Sequence, residues 1–206
     1  MKAAGHQSRS RTANSSGPTN PYQLAIAMGQ AIQSGDFPKI EQLIKQGASL
    51  DQAEGAGAMT PLLKAAWWKN ASAVKMLLAN GARPDGRDMQ GWSPMHAAAS
   101  RNDTEVMDLL LASGGGVSVL ARDDKGGTPL HEAASSNGAQ AIAWLLERGA
   151  DPFSQNNAGK TPGNIARALD CLEAVAALDA HAARLAIENV LGVTAPDRKE
   201  KGPRAT

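Results

Sequence analysis

The stretch Thr128-Pro129-Leu130-His131-Glu132-Ala133-Ala134 returns, with substitutions, at a regular interval on both sides of its own position. Related segments begin at Thr60, Ser93 and Thr161, which gives steps of 33, 35 and 33 residues. A second motif, an apolar pair followed by a glycine turn, trails the first three copies at residues 77–81, 110–114 and 145–149. Two motifs that keep the same phase over this period predict a solenoid of stacked repeats.

Local chemistry predicts two helices in each repeat. Thr or Ser before Pro favours a helix start, because the hydroxyl can accept from the free N–H groups of the first turn and Pro needs no donor there. The segment 139–147 places Ile142, Leu145 and Leu146 on one helical face. Gly149 is then expected to end this helix in a left-handed cap.

With Gly126-Gly127-Thr128-Pro129-Leu130-His131 in view, the chain resembles the ankyrin repeat family over roughly residues 22–180. The resemblance implies an all-α solenoid of about five helix-turn-helix repeats joined by short β-hairpin loops. It also implies that His96 and His131, at matching positions, hydrogen-bond within and between repeats. We favour that structural role over a metal site, because a zinc site would need further Cys, His or carboxylate ligands at close spacing and the only cysteine, Cys171, lies a repeat or more away in sequence.

The repeat boundaries follow from the motif spacing. We expect a disordered N-terminal tail, an N-terminal capping repeat, three full repeats, a C-terminal capping repeat with an extra helix, and a second disordered tail, at residues 1–20, 21–53, 54–87, 88–122, 123–155, 156–194 and 195–206. The first copy lacks the Thr-Pro start. In the last copy Gly163 and Asn164 replace Leu and His, and helical periodicity resumes with Leu169, Leu172, Val175 and Leu178, with a further helix expected over 182–191.

Composition excludes several classes of protein. The 21 Lys and Arg residues nearly balance 20 Asp and Glu, so the whole chain has no bias towards nucleic acid or membrane surfaces. No apolar run is long enough for a membrane span. The single cysteine, Cys171, fits a reducing compartment and a cytoplasmic location. The basic, Ser-rich and acid-poor start would also suit an organelle-targeting segment, and nuclear targeting stays open.

No catalytic or cofactor motif can be identified. We find no Ser/His/Asp elbow, paired-carboxylate motif or P-loop. The sequence therefore predicts a protein that is not an enzyme, that needs no cofactor or metal, and that takes no small-molecule substrate.

The functional hypothesis rests on the positions of the tryptophans in the sequence. Aromatic residues make up 3% of the chain, yet Trp67, Trp68 and Trp92 lie in one neighbourhood, whereas Trp144 fits the apolar face of a second helix. Adjacent helical residues point about 100° apart, so Trp67 and Trp68 cannot both face the core. The resemblance places these tryptophans on a concave groove together with Met59, Arg87, Met89, Gln90, Ser100, Arg101, Lys125, Ser135, Ser136 and Arg148.

Tryptophan and arginine are the residues most enriched at binding hot spots. We therefore expect a monomeric protein-protein interaction module, acting as an adaptor, an assembly chaperone or an inhibitor, with a partner that the fold does not identify. The structural alternative is that Trp67 or Trp68 folds inward over a poorly packed second repeat, or that the two rings stack on each other and shield the first hairpin. A rival function is an effector or regulatory subunit that contacts nucleic acid through Arg87, Arg101, Lys125 and Arg148.

Overall fold

The computed structural model describes residues 20–55 and 57–191, and these residues form ten α-helices. In chain order, α1 to α10 span Pro21–Ser34, Phe37–Lys45, Pro61–Trp67, Ala71–Ala79, Pro94–Ser100, Thr104–Ala112, Pro129–Ser135, Ala139–Glu147, Pro162–Ala168 and Leu172–Leu191. The two tails expected to be disordered, 1–20 and 195–206, lie outside the described residues except for Asn20. The helix pairs follow the motif period, and the exact repeat boundaries stay predictions.

The helices pack in two layers. The first helices of successive pairs stack in the order α1, α3, α5, α7 and α9, while α4, α6, α8 and α10 stack behind them. Fully buried side chains fill the space between the layers, among them Leu62, Leu77, Met95, Leu110, Leu130 and Ile142. This arrangement is the expected all-α solenoid, and its first helices and inter-repeat turns share one face.

The predicted helix starts have the expected capping geometry. The Thr60 hydroxyl accepts from the Leu63 N–H at 3.2 Å, and Pro61 occupies the first turn. The first repeat also has such a start, which the sequence analysis missed: Asn20 Oδ1 accepts from the Tyr22 N–H at 3.0 Å ahead of Pro21. Asn can replace Thr here because any short side chain with an acceptor oxygen satisfies the same free N–H groups.

The turns between repeats are short hairpins that hydrogen-bond to one another. Within the described residues the single antiparallel bridge joins Glu54 and Met59, so no extended strand forms there. Backbone bonds connect neighbouring turns: the Met89 N–H donates to the Gly57 carbonyl at 3.2 Å and the Asp124 N–H to the Gln90 carbonyl at 3.0 Å. These bonds fix the position of each turn relative to the next.

The two histidines have the expected structural role. His131 Nδ1 lies 2.9 Å from the Thr128 hydroxyl, and its Nε2 lies 3.0 Å from the Lys160 carbonyl of the next repeat. His96 makes the equivalent contacts with Ser93 and Gly127. Burial lowers the pKa of both imidazoles, which favours the neutral ring needed for one donor and one acceptor nitrogen.

The C-terminal end differs from the sequence expectation. α10 is one continuous helix of 20 residues rather than a repeat helix followed by a separate one over 182–191. The connecting residues 179–184 contain neither Pro nor Gly and are rich in Ala, so no residue there ends the helix. Leu169 caps α9, and both Leu169 and Leu172 are exposed, whereas Leu178 is buried and Val175 packs against the core.

One further finding concerns membranes. Across residues 20–55 and 57–191, no helix combines the length and the apolar character that crossing a bilayer requires.

Candidate functional site

A cavity opens on the face formed by the first helices and the inter-repeat turns of the middle repeats. Its volume is about 490 Å³. The lining residues come from three successive turns and from α3 and α7: Gly57, Met59, Trp67, Asp88, Met89, Gln90, Trp92, Asp123, Asp124, Lys125 and Glu132. A cavity of this size can accept one or two side chains of a partner.

Two tryptophans form the aromatic wall of this cavity. The ring centroids of Trp67 and Trp92 are 5.9 Å apart, and their planes are tilted by 51°. Trp92 also stacks on His96, with centroids 6.3 Å apart, and the guanidinium of Arg101 lies 5.3 Å from the centre of the Trp67 ring. Both indoles remain only partly buried. These contacts hold two large rings in place while part of their surface stays accessible.

Two of the acidic side chains in the cavity are used by the turns themselves. Asp88 Oδ1 accepts from the backbone N–H groups of Gln90 and Trp92, both at 2.9 Å. Asp123 Oδ1 accepts from those of Lys125 at 2.9 Å and Gly127 at 2.6 Å. These bonds shape the two turns, and they orient both carboxylates towards the base of the cavity.

Glu132 is different, because its carboxylate has no such role. Burial, with a smaller contribution from the nearby Asp123, raises its pKa to about 7, while Lys125 opposes the shift. Among the residues that the structure describes, none donates a hydrogen bond to the Glu132 carboxylate. The cavity therefore contains a partly desolvated acid that lacks a directly bound cation.

The structure brings about half of the sequence-predicted residues together. The cavity lining includes Met59, Trp67, Met89, Gln90, Trp92 and Lys125. Arg101 contacts the same surface through its position over the Trp67 ring. Met89 is 67% exposed and projects from its turn. These residues form the candidate site, which we call the tryptophan cavity.

Trp68 does not belong to the tryptophan cavity, which corrects the expectation that the three tryptophans form one cluster. It caps the end of α3 and lines a separate depression with Ser34, Asn70 and Ser72. Trp68 is 47% exposed, and Trp67 is partly buried. The turn of about 100° between helical neighbours separates the two rings, as the argument that both could not face the core anticipated.

Arg87 and Arg148 also lie elsewhere. The Arg87 guanidinium donates to the carbonyls of Gly91 at 2.7 Å and Arg122 at 2.6 Å, so it joins two successive turns. Arg148 lies behind the second-helix layer, where it pairs with Asp108 of α6 at 3.2 Å and covers the Trp144 ring at 3.9 Å. Both guanidinium groups stabilise repeat stacking instead of lining the tryptophan cavity.

The three predicted serines lie near the ends of α5 and α7 and do not line the cavity. The hydroxyls of Ser135 and Ser136 donate to the Glu132 carbonyl at 3.0 and 2.9 Å. Ser100 and Ser135 occupy the position in their repeats that Trp67 holds in its own. Among these three repeats, only the second has a large ring at this position, and the other two have a small serine there.

Sequence reasoning missed the acidic part of the cavity. Asp88 and Asp123 lie five residues before Ser93 and Thr128, and this repeated position was an available signal for a turn carboxylate. Glu132 takes the position of Ala97 in the preceding copy, so a charged residue in an alanine-rich helix was the signal there. In the repeat before, Lys64 fills this position and pairs with Glu54, both being largely buried.

The rival nucleic-acid surface is not assembled. Arg87 and Arg148 are bonded as described above, on different sides of the solenoid. Lys125 lies among the carboxylates of the tryptophan cavity, and Arg101 lies over Trp67. Phosphate binding requires several cations along one groove, and these four side chains do not form one.

Comparison with known proteins agrees with the repeat architecture described above. A family model described as "Ankyrin repeats (3 copies)" matches residues 83–156, and one described as "Ankyrin repeat" matches residues 59–89. The chain is similar to Glycerophosphocholine phosphodiesterase gde1 of Schizosaccharomyces pombe, with 32% identity over 54% of this chain and 9% of the yeast protein. It is also similar to RelA-associated inhibitor of Mus musculus, with 32% identity over 48% of this chain and 11% of that protein.

A bacterial relative is shorter. A "Putative ankyrin repeat protein" of Rickettsia felis is 33% identical over 42% of this chain and 42% of its own length. The chain thus spans only about a tenth of the first two relatives and less than half of the third. The similarity covers repeats, and the match to the phosphodiesterase includes only 9% of that enzyme.

Proposed function

Because the chain belongs to the ankyrin repeat family, whose repeats form protein-interaction modules, we propose that it binds a partner protein through the tryptophan cavity. In this role it is an adaptor, an assembly chaperone or an inhibitor with no catalytic step of its own. The name of the mouse relative, RelA-associated inhibitor, describes one such role for a protein with similar repeats. We further propose that the protein is cytoplasmic and monomeric in the absence of its partner.

The observation that carries this proposal is the partly exposed pair formed by Trp67 and Trp92. Their rings contact each other, and His96 and Arg101 hold them from either side. An aromatic side chain that is already fixed loses little rotamer entropy when a partner covers it, so most of its contact area contributes to affinity. Met59 and Met89 add flexible apolar surface next to the rings.

The first prediction concerns these two rings. The partner is captured from a lysate of the source cells, identified, purified and titrated against the full chain by calorimetry. We expect Trp67→Ala and Trp92→Ala each to cost about 2 kcal/mol or more of binding free energy, since each removes a ring from the centre of the contact. Trp68→Ala, which removes an exposed ring outside the cavity, should change affinity by well under 1 kcal/mol.

Trp144→Ala serves as the control for folding. Trp144 is 7% exposed and donates its indole N–H to Asp108 at 2.8 Å, so its loss should destabilise the fold while the cavity remains intact. Thermal unfolding of all four variants separates the two effects. The proposal is overturned if affinity is unchanged in both cavity variants, or if binding falls only in proportion to stability.

A further inference from the structure

The tryptophan cavity has an electrostatic character that the proposed function does not use. Four carboxylates line it, those of Asp88, Asp123, Asp124 and Glu132, against the single cation Lys125. These five residues account for most of the net negative charge of the central part of the chain. Residues 20–191 contain 14 Lys and Arg against 18 Asp and Glu, a net charge of −4, although the whole chain carries +1. The face that we propose for binding is therefore acidic.

The aromatic wall favours the same kind of ligand. A cation is attracted to the face of a tryptophan ring, and the attraction grows when water is excluded. The Trp67 ring already has one such partner, the Arg101 guanidinium at 5.3 Å from its centroid. Arg101 belongs to the next repeat and is itself exposed, so the surface around Trp67 accommodates guanidinium groups without burying them fully.

Glu132 supplies the missing counter-charge. It lies in the same cavity as the two rings, and no described residue donates a hydrogen bond to its carboxylate. Lys64, which occupies the equivalent position in α3, has its own carboxylate partner in Glu54. Glu132 of α7 has no such ion-pair partner among the described residues, although it is partly withdrawn from water. A carboxylate in such surroundings gains most from a ligand that provides both positive charge and hydrogen-bond donors.

From this arrangement we infer that the tryptophan cavity receives a lysine or arginine side chain of a basic segment in the partner protein. The aliphatic stem of that side chain packs against the accessible surfaces of Trp67 and Trp92, and its charged end reaches the Glu132 carboxylate. Asp124, which is exposed at the cavity edge, attracts the flanking basic residues. The inference rests on the proposed function, because it names the chemistry of the partner at the same site.

The experiment selects ligands without assuming their identity. A random-peptide display library is selected on the immobilised full chain at neutral pH and physiological salt, and the enriched peptides are synthesised and titrated. We expect one lysine or arginine to be enriched at a fixed position next to apolar residues. Replacing that residue by glutamine should weaken binding about tenfold or more, and Glu132→Gln in the protein should weaken it equally.

A double-mutant cycle then tests direct contact. If the selected cation reaches Glu132, the two replacements together should cost little more than either one alone. The matched control is Glu147→Gln, which makes the same substitution at an exposed glutamate of the second-helix layer, outside the tryptophan cavity. Equal losses with Glu147→Gln would indicate general charge attraction and overturn the inference, as would additive losses in the cycle.

Two other results would also overturn it, with different meanings. The selected peptides could lack an enriched basic residue while their binding still depends on Trp67 and Trp92. That result would contradict only the inference of a basic ligand and would leave the proposed function standing. Free lysine or arginine that binds as tightly as the selected peptide would assign the cavity to a small cation instead of a protein segment. Selected peptides whose affinity is unchanged by Trp67→Ala and by Trp92→Ala would contradict the proposed function as well.

Discussion

At the scale of single residues, Glu132 shows how a binding group can oppose folding. Its carboxylate is held in a partly dry cavity, and its pKa is raised from 4.5 to about 7 by burial and then by Asp123. Raised pKa values of this kind are common at functional sites, because the charge that a ligand needs is costly in the free protein. The neighbouring Asp88 and Asp123 differ from Glu132 in that they accept backbone hydrogen bonds within their turns.

The second prediction follows from this pKa. Between about pH 4.5 and about pH 7 the folded protein holds a proton on Glu132 that the unfolded chain has lost, so this residue's contribution to stability falls as pH rises. Glu132→Gln should therefore be more stable than wild type by about 1–3 kcal/mol near pH 8. The difference should disappear near pH 4, where the side chain is protonated in both states.

Urea unfolding of the two proteins at several pH values measures this difference directly. The comparison cancels the buried histidines, whose depressed pKa values give the opposite dependence in both proteins. A constant difference across the pH range would show that Glu132 is solvated like an ordinary surface acid.

At the scale of helices, α1 and α9 of the two terminal repeats each contain a glycine, and the two glycines differ in what an added Cβ would contact. Gly29 of α1 faces the ion pair of Lys64 and Glu54, whose side chains are only 15% and 9% exposed. A Cβ there would overlap the Glu54 carboxylate and approach Lys64 Nζ to 2.7 Å. Gly163 of α9 faces mainly the guanidinium of Arg167, the far end of an exposed and flexible side chain, at 3.1 Å.

The third prediction compares these two helical glycines. Gly163→Ala should stabilise the protein by about 0.5 kcal/mol, because alanine loses less backbone entropy on folding and Arg167 can move aside. Gly29→Ala should destabilise it by about 1–3 kcal/mol, since a largely buried ion pair cannot move without losing its contact. Equilibrium unfolding in urea reports both values. If both changes stabilise the protein, the contacts of α1 with the first hairpin are as adaptable as those of α9. If both destabilise it, Arg167 does not move aside for the alanine.

At the scale of the whole molecule, burial is concentrated in the middle of the solenoid. Six of the seven residues of α5 are buried and five of those of α7, against only Pro162 and Ala166 in α9. Each repeat contacts only its neighbours, so a terminal repeat is stabilised from one side. The tryptophan cavity is formed by the central repeats, where the scaffold beneath it is best packed.

The fourth prediction is the order in which the molecule opens. Native-state hydrogen exchange should be slowest for amides of α5 and α7 and much faster for those of α9 and the C-terminal half of α10, because local opening costs less where fewer side chains are buried. Partner binding should slow exchange in the turns around Met89 and Lys125 and leave α10 unchanged. Equal protection in all helices would indicate a single cooperative unit, contrary to the nearest-neighbour picture.

Local sequence motifs predict most of the helices and the order of the repeats. The cap at Thr60, the structural pairs of His96 and His131, and the period of 33 to 35 residues depend on interactions over a few residues or on the repetition itself. Such short-range rules act in the same way wherever the motif occurs. The family and the fold class could therefore be predicted before any coordinates were known.

The packing of one repeat on the next sets which side chains share the cavity. The bonds that place Arg87 on the Arg122 carbonyl and Trp144 on Asp108 connect residues about one repeat apart, 35 and 36 positions along the chain. Their formation depends on how far each repeat rotates on the next, and no local motif encodes that rotation. The same rotation brings Glu132 of α7 into one cavity with Trp67 and Trp92. Trp68 faces a separate depression because adjacent helical residues point about 100° apart.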